Sequence, residues 1–144
     1  MRLTNFTDFG LRALMRLAGD PDRLFTTDEI AQEFKISRHH LTKVVQDLAR
    51  AGYVKTQRGA GGGFRLARPA QDIRLGDVVR QLEQGNALVE CFRDDGGACL
   101  LKPSCRLRMR LQAARESFLA TLNTGTLADC VYRPAAPWRS DINA

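Results

Sequence analysis

Thr26-Thr27-Asp28-Glu29-Ile30-Ala31-Gln32-Glu33-Phe34, then Lys35-Ile36, then Ser37-Arg38-His39-His40-Leu41-Thr42-Lys43-Val44-Val45-Gln46-Asp47-Leu48-Ala49-Arg50-Ala51-Gly52 is the stretch that decides the fold. Thr26 is a hydroxyl cap ahead of a first turn carrying Asp28 and Glu29, where the helix dipole favours carboxylates. Ile30, Ala31 and Phe34 then share one face. After a two-residue turn, Ser37 caps a second helix whose apolar residues, Leu41, Val44, Val45 and Leu48, recur at helical spacing. Its other face is Arg38, His39, Thr42, Lys43 and Gln46, and Gly52 stops it. Two short helices joined by a tight turn, the second polar and basic at its N-terminal end, form the helix-turn-helix plan.

The flanks extend that plan. Downstream, Tyr53-Val54-Lys55-Thr56 and Phe64-Arg65-Leu66-Ala67 enclose Gln57-Arg58-Gly59-Ala60-Gly61-Gly62-Gly63. This is a hairpin signal, and it predicts a wing with Arg58 and Arg65 flanking its tip. No Gly-Lys-Ser/Thr follows the glycines and no helix opens there, so a phosphate loop does not fit. Upstream, apolar residues from Phe6 to Leu17 make a helical stripe, with Thr7 as its expected N-cap. Asp8 falls in the first turn, where it pairs with Arg12 at i, i+4. The expected class is mainly α with a small β-hairpin wing: a winged helix-turn-helix domain plus a long dimerisation helix.

Charge points the same way. The chain carries a net +6, with a pI near 9.6. Residues 1–70 hold twelve Lys and Arg against seven Asp and Glu. A polyanionic partner suits that excess. Thr26, Ser37, Arg38, His39, Thr42, Lys43, Arg58 and Arg65 form the candidate DNA-contacting set. Side chains at the N-terminal end of a recognition helix reach base edges, and cations and hydroxyls beside it hold phosphates. Adjacent His39 and His40 point apart on a helix, which argues against a metal pair. The opening residues are amphipathic rather than a signal peptide, and no stretch approaches a membrane span. The expected location is the cytoplasm, where clustered thiols more often hold metal or sense redox state than form disulfides.

The second half carries the chemistry. A short helix is expected over Ile73–Leu82, broken by Gly85-Asn86. Three of the four cysteines then fall within fifteen residues, Cys91, Cys99 and Cys105, with the spacing C-x7-C-x5-C. Zinc knuckles use C-x2–4-C pairs, which are absent. Three thiolates without a nearby histidine point to an iron–sulfur cluster with an unusual fourth ligand, with zinc or free thiols as alternatives. Arg106, Arg108 and Arg110 stand ready to stabilise thiolates or a cluster's negative charge. Pro103 and Ser104 suit the first turn of a helix running to about Leu122, whose stripe is Leu107, Leu111, Ala114, Phe118, Leu119 and Leu122. That stripe most simply packs against a second copy; the alternative is packing on Met15 or Leu82. Thr126 caps a last short helix, Leu127 to Val131, on which Cys130 reads as a packed residue. The tail from Arg133 reads as loose, with Trp138 a lone anchor. No acid–base or nucleophile constellation is readable, so an enzyme is not expected. The organisation is 1–84 DNA-binding domain, 85–105 cluster loop, 103–132 dimerisation and C-terminal helices, and 133–144 flexible tail.

Taken together, these residues resemble a known family. The matching pieces are Met1-Arg2-Leu3-Thr4, Phe6-Thr7-Asp8-Phe9-Gly10-Leu11-Arg12-Ala13-Leu14, Ser37-Arg38-His39-His40-Leu41, Lys43-Val44-Val45 and Ala51-Gly52-Tyr53-Val54. Further on they are Arg58-Gly59, Gly62-Gly63-Phe64-Arg65-Leu66, Ile73-Arg74-Leu75-Gly76-Asp77-Val78-Val79-Arg80, Leu88-Val89-Glu90-Cys91-Phe92, Pro103-Ser104-Cys105-Arg106-Leu107 and Thr126-Leu127-Ala128-Asp129. The chain resembles the NsrR-type nitric-oxide-sensing repressors, within the iron–sulfur winged-helix regulators, up to about Arg133. The resemblance implies a homodimer with a [4Fe–4S] cluster per subunit on Cys91, Cys99 and Cys105. The fourth ligand it implies is an aspartate from the partner subunit, a position that Asp8 occupies. It also implies a palindromic operator, released when nitric oxide nitrosylates the cluster, and control of nitric-oxide detoxification genes. Related sensors of cluster supply carry a histidine three residues after the last cysteine; here that residue is Arg108, which weakens a [2Fe–2S] alternative. The remaining alternatives are a sensor of iron–sulfur supply or redox state, and a metal-stabilised interaction module.

Overall fold

The computed structural model describes residues 1–135; Trp138 and the rest of the expected loose tail lie outside the described residues. The order is α1 (Asn5–Ala18), α2 (Thr27–Phe34), α3 (Arg38–Arg50), β1 (Val54–Gln57), β2 (Gly63–Leu66), α4 (Leu75–Leu82) and α5 (Arg106–Leu122), with short 3-10 turns between and after them. The fold is mainly helical with one antiparallel hairpin, as the sequence predicts.

One core holds the reading head together. Leu14 and Leu17 of α1, Ile30 of α2, Leu41, Val44 and Leu48 of α3, and Val78 and Leu82 of α4 are all essentially solvent-free. Each supplies the apolar side of its helix, so burial rather than local propensity fixes the helix packing. The hairpin is a wing in register Val54↔Leu66 to Gln57↔Gly63. Phe25, just before α2, adds an isolated antiparallel bridge to Phe64. The two residues exchange backbone bonds of 2.9 and 2.8 Å. The wing is thereby tied to the start of the helix-turn-helix.

Helix α4 opens at Leu75 rather than at Ile73, whose backbone is extended. The other helix ends follow the sequence with three further corrections. Thr26 caps α2 in a full capping box: its hydroxyl accepts from Glu29 N–H at 3.2 Å, and Glu29 Oε2 accepts from Thr26 N–H at 2.7 Å. Those bonds, led by the one from the Thr26 backbone, hold the Glu29 carboxyl below its usual range. Its contribution is therefore present above the unfolded glutamate pKa and fades as pH falls through the lower, folded one. Thr26→Ala is expected to destabilise the protein by about 1 kcal/mol in chemical denaturation at pH 7. An unchanged midpoint would remove the box from the account.

The first correction is at α1, where Thr4, not Thr7, is the cap, accepting from Thr7 N–H at 3.2 Å. Thr7 is fully buried instead, and its hydroxyl donates to Glu83 at the end of α4. Glu83 Oε1 also accepts from Thr4 N–H and Thr4 Oγ1, both at 2.9 Å. This latch ties the start of α1 to the end of α4. Second, Ser37 stands at the N-cap of α3, but its side chain makes no capping bond. Third, Lys102–Ser104 is a separate 3-10 turn containing Pro103, and α5 begins only at Arg106, because Cys105 takes an extended backbone (φ −78°, ψ 105°).

Helix α5 is divided along its length. Its C-terminal half packs on α4: Leu119 is buried, Arg80 forms a bidentate pair with Glu116 at 3.2 and 2.7 Å, and Asn123 caps the start of α4 through Asp77 N–H at 3.0 Å. Its N-terminal half exposes Leu107 and Met109, and the preceding loop exposes Leu88, Leu100 and Leu101. The expected apolar stripe is thus half satisfied within one chain, on α4 rather than on Met15. Thr126 opens a 3-10 turn, Leu127–Cys130, in which Asp129 Oδ2 accepts from Thr126 N–H at 2.7 Å; Cys130 is half-buried rather than core.

Candidate metal centre and nucleic-acid interface

The cysteine loop runs from the end of α4 to the start of α5. Gly96 and Gly97 both take left-handed backbone (φ 76° and 57°), which turns the loop back on itself. A Cβ at Gly97 would sit 2.6 Å from the Glu90 carbonyl oxygen, so the strand of loop before Cys99 lies against the one before Cys91. Glu90 Oε1 accepts from Ala98 N–H at 2.9 Å and fixes that crossing. Cys105 stands at the N-cap of α5. Cys91, Cys99 and Cys105 are all half-buried free thiols.

This donor set suits a soft metal centre: three unpaired thiols on one crossed loop, one at a helix N-terminus. The three thiols are not drawn together into one site in the single chain. Among the described residues no group of three or more His, Cys, Asp or Glu is close enough to hold a metal ion. Asp8 is not brought to the cysteines of its own chain. It lies on the first turn of α1 with its side chain 45% exposed, engaged by Arg12 through Nη2 at 2.7 Å and Nε at 3.1 Å. The helix-dipole and i, i+4 reading of Asp8 therefore describes it in a single chain.

The loop's arginines differ from one another. Arg106 and Arg110 are exposed on α5. Arg108 turns inward, its guanidinium 5.6 Å above the Phe92 ring, and its Nε is buried without a hydrogen-bond partner. Arg108 lines a cleft with Cys91, Arg93, Asp94, Lys102 and Glu116. Glu116 is committed to Arg80, whose hydrogen bonds hold the Glu116 carboxyl below its usual range.

The predicted DNA-contacting residues divide between free and committed groups. Ser37, His39 and Lys43 are on the first turns of α3; Ser37, His39 and Lys43 are exposed. Arg38 is 72% exposed and carries only a 3.1 Å pair with Asp28 of α2. The Thr42 hydroxyl donates to the Arg38 carbonyl at 2.8 Å, which leaves it only accepting capacity. Thr26 is exposed, but both its polar groups belong to the capping box. Arg58 is exposed at the wing tip, beside Gly59 and Gly61 with φ of 95° and 73°. Arg65 does not flank the tip: it pairs with Lys55 along the strands and lines a cleft with Lys55 and Arg68 on the side of Ala18 and Pro21.

Sequence reasoning missed the Glu83 latch and the inward turn of Arg108. Neither has a local signal, since each depends on an element brought in by the fold. The Phe25–Phe64 bridge had a faint one, an aromatic immediately before the capping threonine.

Residues 3–133 match the Rrf2 family profile, described as an iron-dependent transcriptional regulator. The HTH-type transcriptional regulator NsrR of Geobacillus kaustophilus (strain HTA426) is 46% identical over 130 residues, covering 90% of this chain and 88% of that protein. Among solved structures, T. potens IscR superposes with a TM-score of 0.70 at 26% identity, covering 90% of this chain and 85% of that one. CymR (YrzC), the global cysteine regulator of B. subtilis, gives a TM-score of 0.70 at 28% identity, covering 90% and 95%.

Proposed function

The chain belongs to the Rrf2 family of iron-dependent transcriptional regulators, and from that premise we propose that it is a dimeric repressor whose iron–sulfur centre senses nitric oxide. The observation that carries the reading is the presence of three free, half-buried thiols within fifteen residues, on and just after one crossed loop between the winged helix-turn-helix core and α5. Cys91, Cys99 and Cys105 would hold a [4Fe–4S] cluster, and Asp8 of the partner subunit would complete it. When bound, the cluster supplies iron that reacts with nitric oxide.

The protein's own residues account for the rest. Leu107, Leu111, Ala114 and Phe118 recur at four- and three-residue steps along α5, the spacing of a helix–helix seam. Leu107 and Met109 of α5, with Leu88, Leu100 and Leu101 of the cluster loop, are exposed apolar side chains that a second copy would cover. A twofold dimer that held its two α3 helices roughly 34 Å apart, one helical turn of DNA, would match a palindrome. Ser37, Arg38, His39 and Lys43 would enter the major groove while Arg58 approaches the minor groove. Arg65 would serve a phosphate, whereas Thr42, its hydroxyl proton held by the Arg38 carbonyl, can only accept from a base amino group, and Thr26 is committed to its capping box. Because α1 carries Asp8 and packs on α3, a ligand donated in trans would tie the metal centre to the placement of the recognition helices. No described helix is long and apolar enough to cross a membrane.

Asp8 provides the test. Asp8→Ala removes an exposed ion pair and a first-turn carboxylate in its own chain, so the stability of the metal-free protein should fall by no more than about 1 kcal/mol. Cluster lifetime after anaerobic reconstitution, followed by visible absorption, should shorten by about 10-fold or more. Unchanged lifetime and unchanged nitric-oxide response would return Asp8 to its helix-dipole role. Reconstituted protein that ignores nitric oxide and responds to oxidants would be a sensor of redox state; colourless protein with stoichiometric zinc would be a metal-stabilised module.

A further inference from the structure

Arg108 is a charged side chain with an unmet need. Its Nε is buried and has no acceptor among the described residues. Such a donor is rare and costly, and it calls for a partner that the chain alone does not supply. The Phe92 ring receives only the face of the guanidinium. The two carboxylates lining the same cleft leave Nε unpaired: Glu116 is occupied by Arg80, and Asp94 makes no bond to it. The neighbouring cations offer no acceptor either. Arg93 is paired with Asp95 at 2.5 Å, and Lys102 donates to the Gly96 carbonyl at 3.2 Å.

Gln112 and Cys91 also line the cleft, and neither is bonded to Nε in the single chain; Cys91 is the one soft acceptor among the lining residues. Phe92, under the guanidinium, directly follows it, and Arg108 stands on the first turn of α5, three residues after Cys105. One side chain thus spans from the helix that begins at the last cysteine to the loop that carries the first.

We infer that Arg108 is a positioning residue for the metal centre: its Nε–H donates to a sulfur at Cys91, either the thiolate or a cluster sulfide, and its fixed charge offsets the anionic ligand set. The inference rests on the reading of Cys91, Cys99 and Cys105 as cluster ligands. It assigns Arg108 two effects. As a clasp it slows release of the Cys91 end of the loop. As a hydrogen-bonding cation beside sulfur it favours the more negative, reduced form of the cluster and so raises the reduction potential.

The experiment uses full-length protein, reconstituted anaerobically with iron and sulfide, as wild type, Arg108→Met and Arg108→Lys. Midpoint potential is read by mediated titration, cluster lifetime in air by visible absorption, and the melting temperature of each metal-free protein is measured as a control. Arg108→Met should lower the potential and shorten the lifetime several-fold without lowering the metal-free melting temperature. Arg108→Lys, which keeps the charge and loses the planar Nε–H, should fall between the two. Wild-type potential and lifetime in Arg108→Met would overturn the inference while leaving the cluster reading intact. Should Arg108→Met fail to fold, Arg108→Lys decides alone, and wild-type values there overturn it. Wild-type protein that takes up no cluster would bring down the ligand assignment first, and this inference with it.

Discussion

Cys99→Ser is expected to strip the visible absorption of the reconstituted protein and to lower its affinity for operator DNA by about 10³-fold, to the non-specific level. Cys99 makes the cleanest test of the three thiols. It lies mid-loop, away from the N-cap position of Cys105 and the Arg108 cleft of Cys91. Oxygen replaces sulfur with almost no change in volume, so packing is preserved while the soft ligand is lost. The half-buried side chain is not part of the core. Stability of the metal-free variant should therefore stay within about 0.5 kcal/mol of the metal-free wild type. Separating the two measurements matters, because a folding defect would also lower DNA affinity. A Cys99→Ser protein that retains full iron content and operator affinity would exclude Cys99 as a required ligand and overturn the three-thiol assignment.

Phe25→Ala should cost about 3–5 kcal/mol, the largest stability loss expected from a single substitution in the reading head. The ring is 1% exposed and lies between the guanidiniums of Arg16 and Arg23, whose centres are 4.6 and 4.4 Å from its centroid. Arg16 is itself buried and held by Glu33 of α2 through Nε at 3.1 and 3.0 Å. Removing the ring therefore opens a cavity and also strips one face from a buried cation, a penalty beyond apolar area alone. The backbone bridge to Phe64 can persist, because it needs no side chain. Denaturant midpoints for the metal-free protein should fall with the slope unchanged. A loss below about 1 kcal/mol would mean that the bridge, not the ring, anchors the wing.

Most of the architecture was legible because it is written in local patterns. Thr26 with Glu29 marks a helix start, Gly52 a stop, and the glycines after Arg58 a tight tip; each signal acts within a few residues. The misreadings have a common cause. Thr7 looked like a cap because hydroxyls favour that place, but Glu83, seventy-six residues away, claims it and leaves the cap to Thr4. Pro103 looked like the first residue of α5, yet the extended backbone at Cys105 separates the proline's turn from the helix. The α5 stripe read as one surface, whereas α4 covers its C-terminal half and leaves the N-terminal half bare. The metal centre was legible only as an incomplete one. Three thiols are countable in the sequence, but a fourth ligand donated by another chain would leave no spacing to read. Asp8 was reached through the family resemblance, and its own chain gives it an ordinary partner in Arg12.

The central claim is that a nitric-oxide-sensitive centre on Cys91, Cys99 and Cys105 controls DNA binding. The most direct measurement is anaerobic titration of the reconstituted, DNA-bound protein with nitric oxide, with cluster absorption and DNA anisotropy recorded together at fixed salt. The account predicts that the cluster absorption bleaches and the DNA is released over the same range of nitric oxide per cluster. Bleaching that leaves the protein on its operator would contradict it.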